Sequence, residues 1–405
     1  MIITNCIVCD NKDLYKIIDL GLHPPSDSFL WDCGDQEAIK LYKLQCFVCP
    51  TCGHIQNRVL VSQNERYEEV DYSYTSANSK ISKDHWDEYF KSINSYLNLS
   101  PSDVVIEFGS NDGYLLEQFN KRYLSIGIEP SPYLFQISSK KGLKIFNSYI
   151  NQKTLNTIKS KYGNAKLIYG NNVFNHIHDL NAVTSAIRSV LDEDGYFVFE
   201  SPYAFDVIKN MYFDTIYHEH ISYFSVKSVD YLLRANKLYI TEIIKNDYHG
   251  GCIRVFSSTD SSKYNKDLVN QFISNEEKFG LFNPKKYIKF MRTINVSKYK
   301  FMMSLFKMKS EGLKIAAVGA AARSNTLLNF YKIDNSLIDF ITDNSEHKIG
   351  KKTPCSCIPI LGDDALHDRN PDVAIILSWN IGKFLKAKIK EVNPKIKILS
   401  ISELM

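Results

Sequence analysis

The stretch "DVVIEFGSNDGYLLEQF" at residues 103–119 reads as a strand, a glycine turn and a helix. An apolar run enters the turn at Glu107, and apolar residues at helical spacing follow Gly113. Gly109 lets a ligand approach the backbone, while Gly113 lets the helix begin close to the strand. Many α/β folds contain such a turn, so this stretch predicts a wound α/β sheet without selecting its ligand.

The strands that follow narrow the choice of ligand. "YLSIGIEPS" (123–131) places Glu129 about 20 residues beyond the turn, where an acid accepts both hydroxyls of a ribose. The G-x-G-x-x-G motif of dinucleotide enzymes is absent, and two further strands follow, in "AKLIYGNNVFNHIHDL" (165–180) and "DEDGYFVFESPY" (192–203). This order resembles the class I methyltransferases that use S-adenosylmethionine; the alternative is a doubly wound domain without a cofactor. The cofactor-binding candidates are Glu107, Gly109, Asn111, Gly113, Glu129 and Asn172.

Two C-x-x-C pairs lie near the N-terminus, Cys6 with Cys9 and Cys49 with Cys52. Four thiolates that converge tetrahedrally make a closed structural zinc site, with no open position for catalysis. Cys46 stands three residues before Cys49, so a pairing of Cys46 with Cys49 is the alternative, although Gly53 favours Cys52. The nine cysteines are an odd number in a chain whose start lacks a signal sequence, so we expect reduced thiols and metal ligation before disulfides.

The segment "DTIYHEHISYFS" (214–225) concentrates groups that give, take or steer protons. It follows the fifth strand, and ligands of open sheets lie beyond the carboxyl ends of the strands. His218 and His220 are two residues apart, which is not the spacing of a zinc-protease helix. If the segment is extended, Tyr217 and Glu219 share one side while His218 and His220 share the other. The alternative is that these groups satisfy backbone donors at a domain junction.

The C-terminal third repeats the pattern of strand, small-residue turn and helix in "LKIAAVGAAARSNTLLNFY" (313–331). Strands in 337–354, 372–379 and 395–402 would complete a second Rossmann-like domain. The turn from Gly319 to Arg323 offers backbone N–H groups and a guanidinium to a diphosphate. We therefore expect Arg323, Asn325 and Asp343 to contact a nucleotide sugar, with a second NAD site as the competing interpretation.

Length and charge limit the remaining possibilities. A chain of 405 residues predicts two or three domains, and we assign an α/β protein with a zinc-binding module at 1–75, a class I methyltransferase domain at 76–260, and a helical linker with a nucleotide-sugar-binding domain at 261–405. Net charge is +4, which does not favour a nucleic-acid partner. No segment approaches the length of a spanning helix. We expect a cytoplasmic protein with no membrane partner; the oligomeric state stays open, with a monomer favoured.

Nine or more motifs in register make the family resemblance specific. They include "CPTCGHIQ", "EFGSNDGYLL", "NNVFNHIHD", "YHEHISYFS", "HGGCIRVF" and "GAAARSNTLLN", and they cover nearly the whole chain. The chain resembles the zinc-containing C-methyltransferases of deoxysugar biosynthesis. That resemblance implies methylation of carbon 3 of a 4-keto sugar on a nucleoside diphosphate, usually dTDP. It assigns the base to His220 and further catalytic roles to Tyr217, Glu219, His176 and Tyr74, with Tyr72 two residues from the last.

The chemistry of carbon methylation agrees with those residue types. Carbon becomes nucleophilic only after a proton leaves it, so a base and a partner for the enolate oxygen are both needed. Histidine suits the first task near neutral pH, and a tyrosine hydroxyl suits the second. An O- or N-methyltransferase could use the same base, and an RNA methyltransferase or a non-enzymatic binding protein are the alternatives from other classes.

Overall fold

The computed structural model describes residues 1–34, 39–61, 75, 77 and 79–404, and its strands form three sheets. The strands are β1 Tyr15–His23, β2 Tyr42–Val48, β3 Ile55–Asn57, β4 Val104–Phe108, β5 Leu124–Ile128, β6 Lys144–Phe146, β7 Ala165–Asn171, β8 Leu191–Pro202, β9 Ser222–Tyr223, β10 Tyr239–Asn246, β11 Cys252–Ser258, β12 Ile315–Val318, β13 Phe340–Thr342, β14 Ile360–Leu361, β15 Val373–Ile376 and β16 Lys397–Ser400. The α-helices are α1 Lys80–Tyr96, α2 Tyr114–Asn120, α3 Pro132–Lys140, α4 Gln152–Tyr162, α5 Leu180–Val190, α6 Ala204–Lys209, α7 Val226–Ala235, α8 Lys266–Phe279, α9 Pro284–Ser310, α10 Ala322–Tyr331, α11 Ala365–Asp368, α12 Gly382–Val392 and α13 Ile401–Leu404.

The N-terminal sheet is antiparallel, with the order β1-β2-β3-β9. Along β2 the buried residues Leu44, Cys46 and Val48 alternate with more exposed neighbours, which is the period of a strand covered on one face. Strand β9 comes from the middle of the chain and pairs Tyr223 with Ile55. The segment 214–225 is therefore tied at its end to the N-terminal module.

The central sheet has seven strands in the order β10-β11-β8-β7-β4-β5-β6. Strands β4 to β8 run parallel, and β11 runs antiparallel to both of its neighbours, β8 and β10. All five residues of β4 are buried, as expected of a parallel strand covered by helices on both faces. This order, with one inserted antiparallel strand, confirms the class I methyltransferase fold.

The C-terminal sheet is parallel throughout, in the order β14-β13-β12-β15-β16. It confirms a second Rossmann-like unit, and the strands predicted near 313, 337, 372 and 395 are present as β12, β13, β15 and β16. The sequence did not indicate β14, which has two residues, because so short a strand carries no periodicity. The residue boundaries that we assign to the three domains stay a prediction.

Two apolar cores join the three sheets. One contains Ile18 and Val48 of the N-terminal sheet together with Leu328 of α10 and Ile341 of β13. The other joins the cysteine pairs to the central sheet and to α5 and α7. Because the N-terminal module contributes to both cores, it holds the central and C-terminal units against each other.

Cys33 and Cys357 form a disulfide with their Cα atoms 6.0 Å apart. The expectation of reduced thiols is wrong for this pair, because the fold brings together two cysteines that lie 324 residues apart in sequence. The other seven cysteines form no disulfide. Separately, no helix in the described ranges is long and apolar enough to cross a bilayer.

Candidate active site

A cavity of about 600 Å³ opens between the central and C-terminal sheets. Three groups of residues meet there: the glycine turn after β4, the segment that follows α6, and the turn after β12. Most of the predicted site residues line it, namely Glu107, Gly109, Asn111, Glu129, Asn172, His176, Tyr217, Glu219, His220, Arg323 and Asp343. Tyr74 and the neighbouring Tyr72 lie outside the described residues, so their roles stay predictions.

The glycine turn after β4 forms the floor of the cofactor side. Gly109 has φ +65°, and a Cβ there would lie 2.8 Å from the Val173 side chain, so only glycine fits. Glu129 accepts backbone N–H groups on both of its oxygens, from Asn111 at 2.8 Å and from Ser131 at 2.9 Å. These bonds fix the carboxylate at the turn.

Gly113, which was predicted to bind the cofactor, does not line the cavity. It begins α2 with φ +76°, and a Cβ there would lie 2.6 Å from Leu143. Gly113 therefore serves the close packing of helix on strand, as its position in the turn also indicated.

The electrostatics of this side suit a ligand with hydroxyls and a positive charge. Burial raises the pKa of Glu129 to about 7 and raises the pKa of Glu107 well above its usual range, while the Tyr169 hydroxyl donates to Glu107 at 3.2 Å. Ser110 Oγ and Asn172 Nδ2 are buried without a hydrogen-bond partner within the residues that the structure describes. S-adenosylmethionine fits this set: its ribose hydroxyls can donate to Glu129, and its cationic sulfonium suits the carboxylates.

Residues after β7 connect the cofactor side to the catalytic side. Asn172 has φ +53° and donates its backbone N–H to Glu200 O at 2.7 Å, which places its side chain at the cavity wall. His176 ends the short 3-10 turn Phe174–His176, and its ring centroid lies 5.2 Å from that of His220.

The segment 217–220 is a turn rather than an extended strand. His220 donates its backbone N–H to Tyr217 O at 3.1 Å. The turn places Tyr217, Glu219 and His220 on the same cavity, so the alternation that an extended segment would give does not hold. His218 alone points elsewhere, with its ring 5.8 Å from Tyr42.

The hydrogen bonds of His220 define its tautomer. Nδ1 lies 2.8 Å from Thr215 O, and a carbonyl oxygen only accepts, so Nδ1 carries the proton. Nε2 then has the lone pair and accepts from the Tyr217 hydroxyl at 2.6 Å. Burial and, to a smaller extent, the Arg323 charge lower the pKa of His220 to about 3. The imidazole is therefore neutral near pH 7, which is the form that can take a proton.

Glu219 is supported from two other units. Its carboxylate accepts from the Ser26 hydroxyl at 2.6 Å, and Asn325 donates its side-chain amide to the backbone carbonyl of Ser26. Asn325 does not line the large cavity but a smaller one that also contacts His218. The prediction that Asn325 contacts the nucleotide sugar directly is not supported by its position, because its side chain lies on the face of α10 that packs against the N-terminal module.

The turn after β12 supplies the C-terminal side. Asp343 accepts the backbone N–H of Ala320 at 2.9 Å, and Lys348 lies 4.0 Å from it. Arg323 is 9% exposed and donates to His249 O at 3.4 Å, while its Nη1 has no hydrogen-bond partner in the described part of the chain. Of the residues that the structure describes, the Lys and Arg side chains that line the cavity are Arg323, Lys348 and Lys388, and all three belong to this side.

Sequence reasoning missed two residues at the junction. Tyr248 and His249 line the cavity, and His249 has the left-handed φ of +53°, which is uncommon outside glycine. The motif HGG at 249–251 could have indicated them, because two consecutive glycines predict an unusual loop conformation. Gly250 and Gly251 indeed have φ of +92° and +128°. A Cβ on Gly250 would lie 2.5 Å from Trp379, so this loop packs tightly against the C-terminal unit.

The four predicted zinc ligands converge. The thiols of Cys6, Cys9, Cys49 and Cys52 lie within 4.8 Å of one another, with Cys6 to Cys52 at 3.5 Å and Cys9 to Cys49 at 3.4 Å. Tetrahedral zinc with bonds of about 2.3 Å needs sulfurs about 3.8 Å apart, so the cluster fits. Cys46 is not in the group but is buried in the first apolar core. The second ligand pair is therefore Cys49 with Cys52 and not Cys46 with Cys49.

Family models match three consecutive parts of the chain: "Putative zinc binding domain" over residues 6–67, "Methyltransferase domain" over 82–243 and "C-methyltransferase C-terminal domain" over 247–396. The C-methyltransferase NovU of Streptomyces niveus is 28% identical over 380 residues, which are 93% of this chain and 90% of that protein.

Solved methyltransferase structures match a little under half of the chain. An S-adenosylmethionine-dependent methyltransferase from Clostridium acetobutylicum has 14% identity and a TM-score of 0.35, covering 45% of this chain and 93% of that one. A SAM-dependent methyltransferase from Archaeoglobus fulgidus has 13% identity and a TM-score of 0.34, covering 43% and 94%.

The domain order, the match along the chain and the cysteine cluster agree with the sequence motifs. The protein is an S-adenosylmethionine-dependent methyltransferase with a four-cysteine site that fits zinc, and it is similar along nearly its whole length to a C-methyltransferase.

Proposed function

We propose that the protein transfers a methyl group to carbon 3 of a nucleotide-linked 4-keto deoxysugar, with dTDP as the expected carrier. One observation carries the proposal: a single cavity joins the cofactor turn, the Tyr217–His220 turn and the C-terminal turn, and among the described residues its Lys and Arg side chains come from the last of these. The diphosphate would lie near Arg323, whose Nη1 lacks a hydrogen-bond partner in the described ranges. The sugar would then lie between the two turns, beside His220.

The protein's own residues would act on the sugar in one sequence. His220 takes the C3 proton on Nε2, and the electron pair left on carbon delocalises onto the ketone oxygen. The Tyr217 hydroxyl, which donates to Nε2 in the absence of substrate, would turn to that oxygen and so expose the lone pair of the base. Tyr74 is the second candidate for this donor. S-adenosylmethionine would supply the electrophilic methyl group and leave as S-adenosylhomocysteine, so that the C3–H and S–CH3 bonds break, a C–C bond forms and the proton leaves on His220.

Substrate binding would also strengthen the base. The Arg323 charge contributes to the low pKa of His220, after burial. A diphosphate bound at Arg323 would cancel that charge and raise the pKa of His220 toward its usual range. Glu219, held by Ser26, would accept a hydrogen bond from a sugar hydroxyl.

Deuterium exchange tests the assignment. In D₂O with S-adenosylhomocysteine present, wild-type protein should incorporate deuterium at C3 of a dTDP-4-keto sugar. Loss of a positioned base costs about 10² to 10⁴ in rate, so His220→Asn should exchange more slowly by that factor. His218→Asn is the matched control, because its ring lies outside the cavity lining, and it should exchange nearly as fast as wild type.

Three outcomes would revise the proposal. Equal exchange in wild type and His220→Asn would move the base to another group, with His176 next in reach. Intact methylation without exchange would indicate transfer to oxygen or nitrogen. Methylation of RNA instead of a sugar nucleotide would replace the substrate class altogether.

A further inference from the structure

The catalytic turn is attached to the C-terminal unit at two neighbouring residues. Asp214 accepts from the Trp379 indole N–H at 2.6 Å, and the backbone carbonyl of Ile216 accepts from the Thr326 hydroxyl at 3.0 Å. Asp214 and Thr326 are buried, with 4% and 2% exposure. Residues 214 and 216 are therefore held by side chains that arise more than 100 residues later in the chain.

The residue between these two attachments determines the tautomer of the base. Thr215 O accepts from His220 Nδ1 at 2.8 Å, and this bond leaves the lone pair on Nε2. The Thr215 carbonyl shares its peptide group with the Ile216 N–H. The carbonyl of Ile216 itself accepts from the Thr326 hydroxyl. The Ile216 N–H also donates to Phe213 O at 3.0 Å, so two bonds hold this stretch. Loss of the Thr326 hydroxyl removes one of them and lets the Thr215 carbonyl shift relative to Nδ1.

We propose that Thr326 is a positioning residue that sets the tautomer and direction of His220 through the backbone of residues 215 and 216. The proposal rests on the proposed role of His220 as the base. Thr326 does not line the large cavity, so it acts without touching the substrate. It lies three residues after Arg323 on α10, where side chains share a helix face. One helix face therefore carries both the proposed diphosphate ligand and the support of the base.

The test compares three variants of full-length, zinc-loaded protein. Thr326→Val keeps the shape of the side chain and removes the donor, whereas Thr326→Ser keeps the donor and removes a methyl group. Thr184→Val makes the same substitution at another buried threonine, on α5, where the lost bond is to Leu180 O. The ring ¹⁵N spectrum of ligand-free protein with labelled histidine reports the His220 tautomer, and His220→Asn identifies its signal.

We expect Thr326→Val to lose the single Nδ1–H signal of His220 and to lower kcat for C3 exchange by about 10- to 100-fold, with KM and affinity for S-adenosylhomocysteine within about twofold. Thr326→Ser should restore the spectrum and most of the rate, and Thr184→Val should change neither. An unchanged spectrum in Thr326→Val, an unchanged rate, or equal losses in Thr326→Val and Thr326→Ser would each overturn the proposal. If wild-type protein accepts no keto sugar, the proposed function fails, and the spectra still decide the role of Thr326.

Discussion

The central and C-terminal units repeat the same first turn. Gly109 after β4 donates its N–H to Ile128 O at 2.8 Å, and Gly319 after β12 donates to Thr342 O, also at 2.8 Å. In both units the glycine N–H therefore donates a hydrogen bond to the last residue of the neighbouring parallel strand. The backbone of the two turns gives no reason for them to bind different ligands.

The acids beside the two turns repeat as well. Glu129 accepts the N–H of Asn111, and Asp343 accepts the N–H of Ala320 at 2.9 Å. The difference lies in the charges around them. Lys348 lies 4.0 Å from Asp343, whereas no Lys or Arg within the part of the chain that the structure describes lines the cofactor side of the cavity. The two turns therefore share a backbone cradle and differ in the side chains around it, with a lysine beside Asp343 and a second buried acid, Glu107, near Glu129.

The largest effect that we predict is loss of stability in the central and C-terminal units together. Cys52→Ser removes one of four zinc ligands, and the N-terminal module contributes to both cores. We expect loss of the zinc and a fall in melting temperature of roughly 10 °C, because metal binding stabilises only the folded state. Metal analysis and thermal unfolding would measure this. Cys355→Ser, outside the cluster, is the control; one zinc per chain and an unchanged melting temperature in Cys52→Ser would contradict the prediction.

The second prediction tests whether the central and C-terminal units bind different ligands. Arg323→Met keeps the length of the side chain and removes its charge, so dTDP should bind about 10- to 100-fold more weakly, as expected for the loss of a charged hydrogen bond. Affinity for S-adenosylhomocysteine should stay within about twofold. Calorimetry measures both, and Arg234→Met on the exposed face of α7 is the control. Equal losses for the two ligands would mean that Arg323 does not distinguish the units.

The smallest predicted effect is a pH dependence of S-adenosylhomocysteine binding that arises from Glu129. Burial raises the pKa of Glu129 to about 7 in the ligand-free protein. The ionised carboxylate accepts the ribose hydroxyls, so affinity is highest above that pKa and is lost as the pH falls through it. At pH 6 about a tenth of Glu129 would be ionised, and S-adenosylhomocysteine should bind roughly 5- to 10-fold more weakly than at pH 8.

The control for the pH effect is Glu129→Gln, which cannot ionise. Its affinity for S-adenosylhomocysteine should be lower than that of wild type at pH 8 and nearly constant from pH 6 to 8. A flat profile in wild-type protein would show that Glu129 stays in one protonation state or does not bind the ribose.

Features that depend on short-range spacing could be predicted from the sequence. The glycine turn at 109–113 and the acid at Glu129 follow from the alternation of strand and helix, and the convergence of Cys49 and Cys52 follows from their knuckle spacing. These features form within one or two elements, so neighbouring residues are enough to specify them.

Features that depend on distant attachments could not be predicted. The turn at 217–220 brings Glu219 and His220 to the same side because Ser26 and Thr326 hold it from two other units. The position of Asn325 depends on which face of α10 packs against the N-terminal module. Periodicity describes a helix or strand by itself and contains no information on these partners.

The pairing of β3 with β9 has a consequence for synthesis of the chain on the ribosome. Strand β3 ends at Asn57, and its partner β9 begins only at Ser222. At a synthesis rate of about 5–20 residues per second, the edge of β3 stays unpaired for on the order of ten to thirty seconds before β9 is made. An unpaired edge is a template for foreign strands. Nascent chains that end before β9 therefore carry an open sheet edge, and the turn that holds His220 directly precedes the strand that closes it.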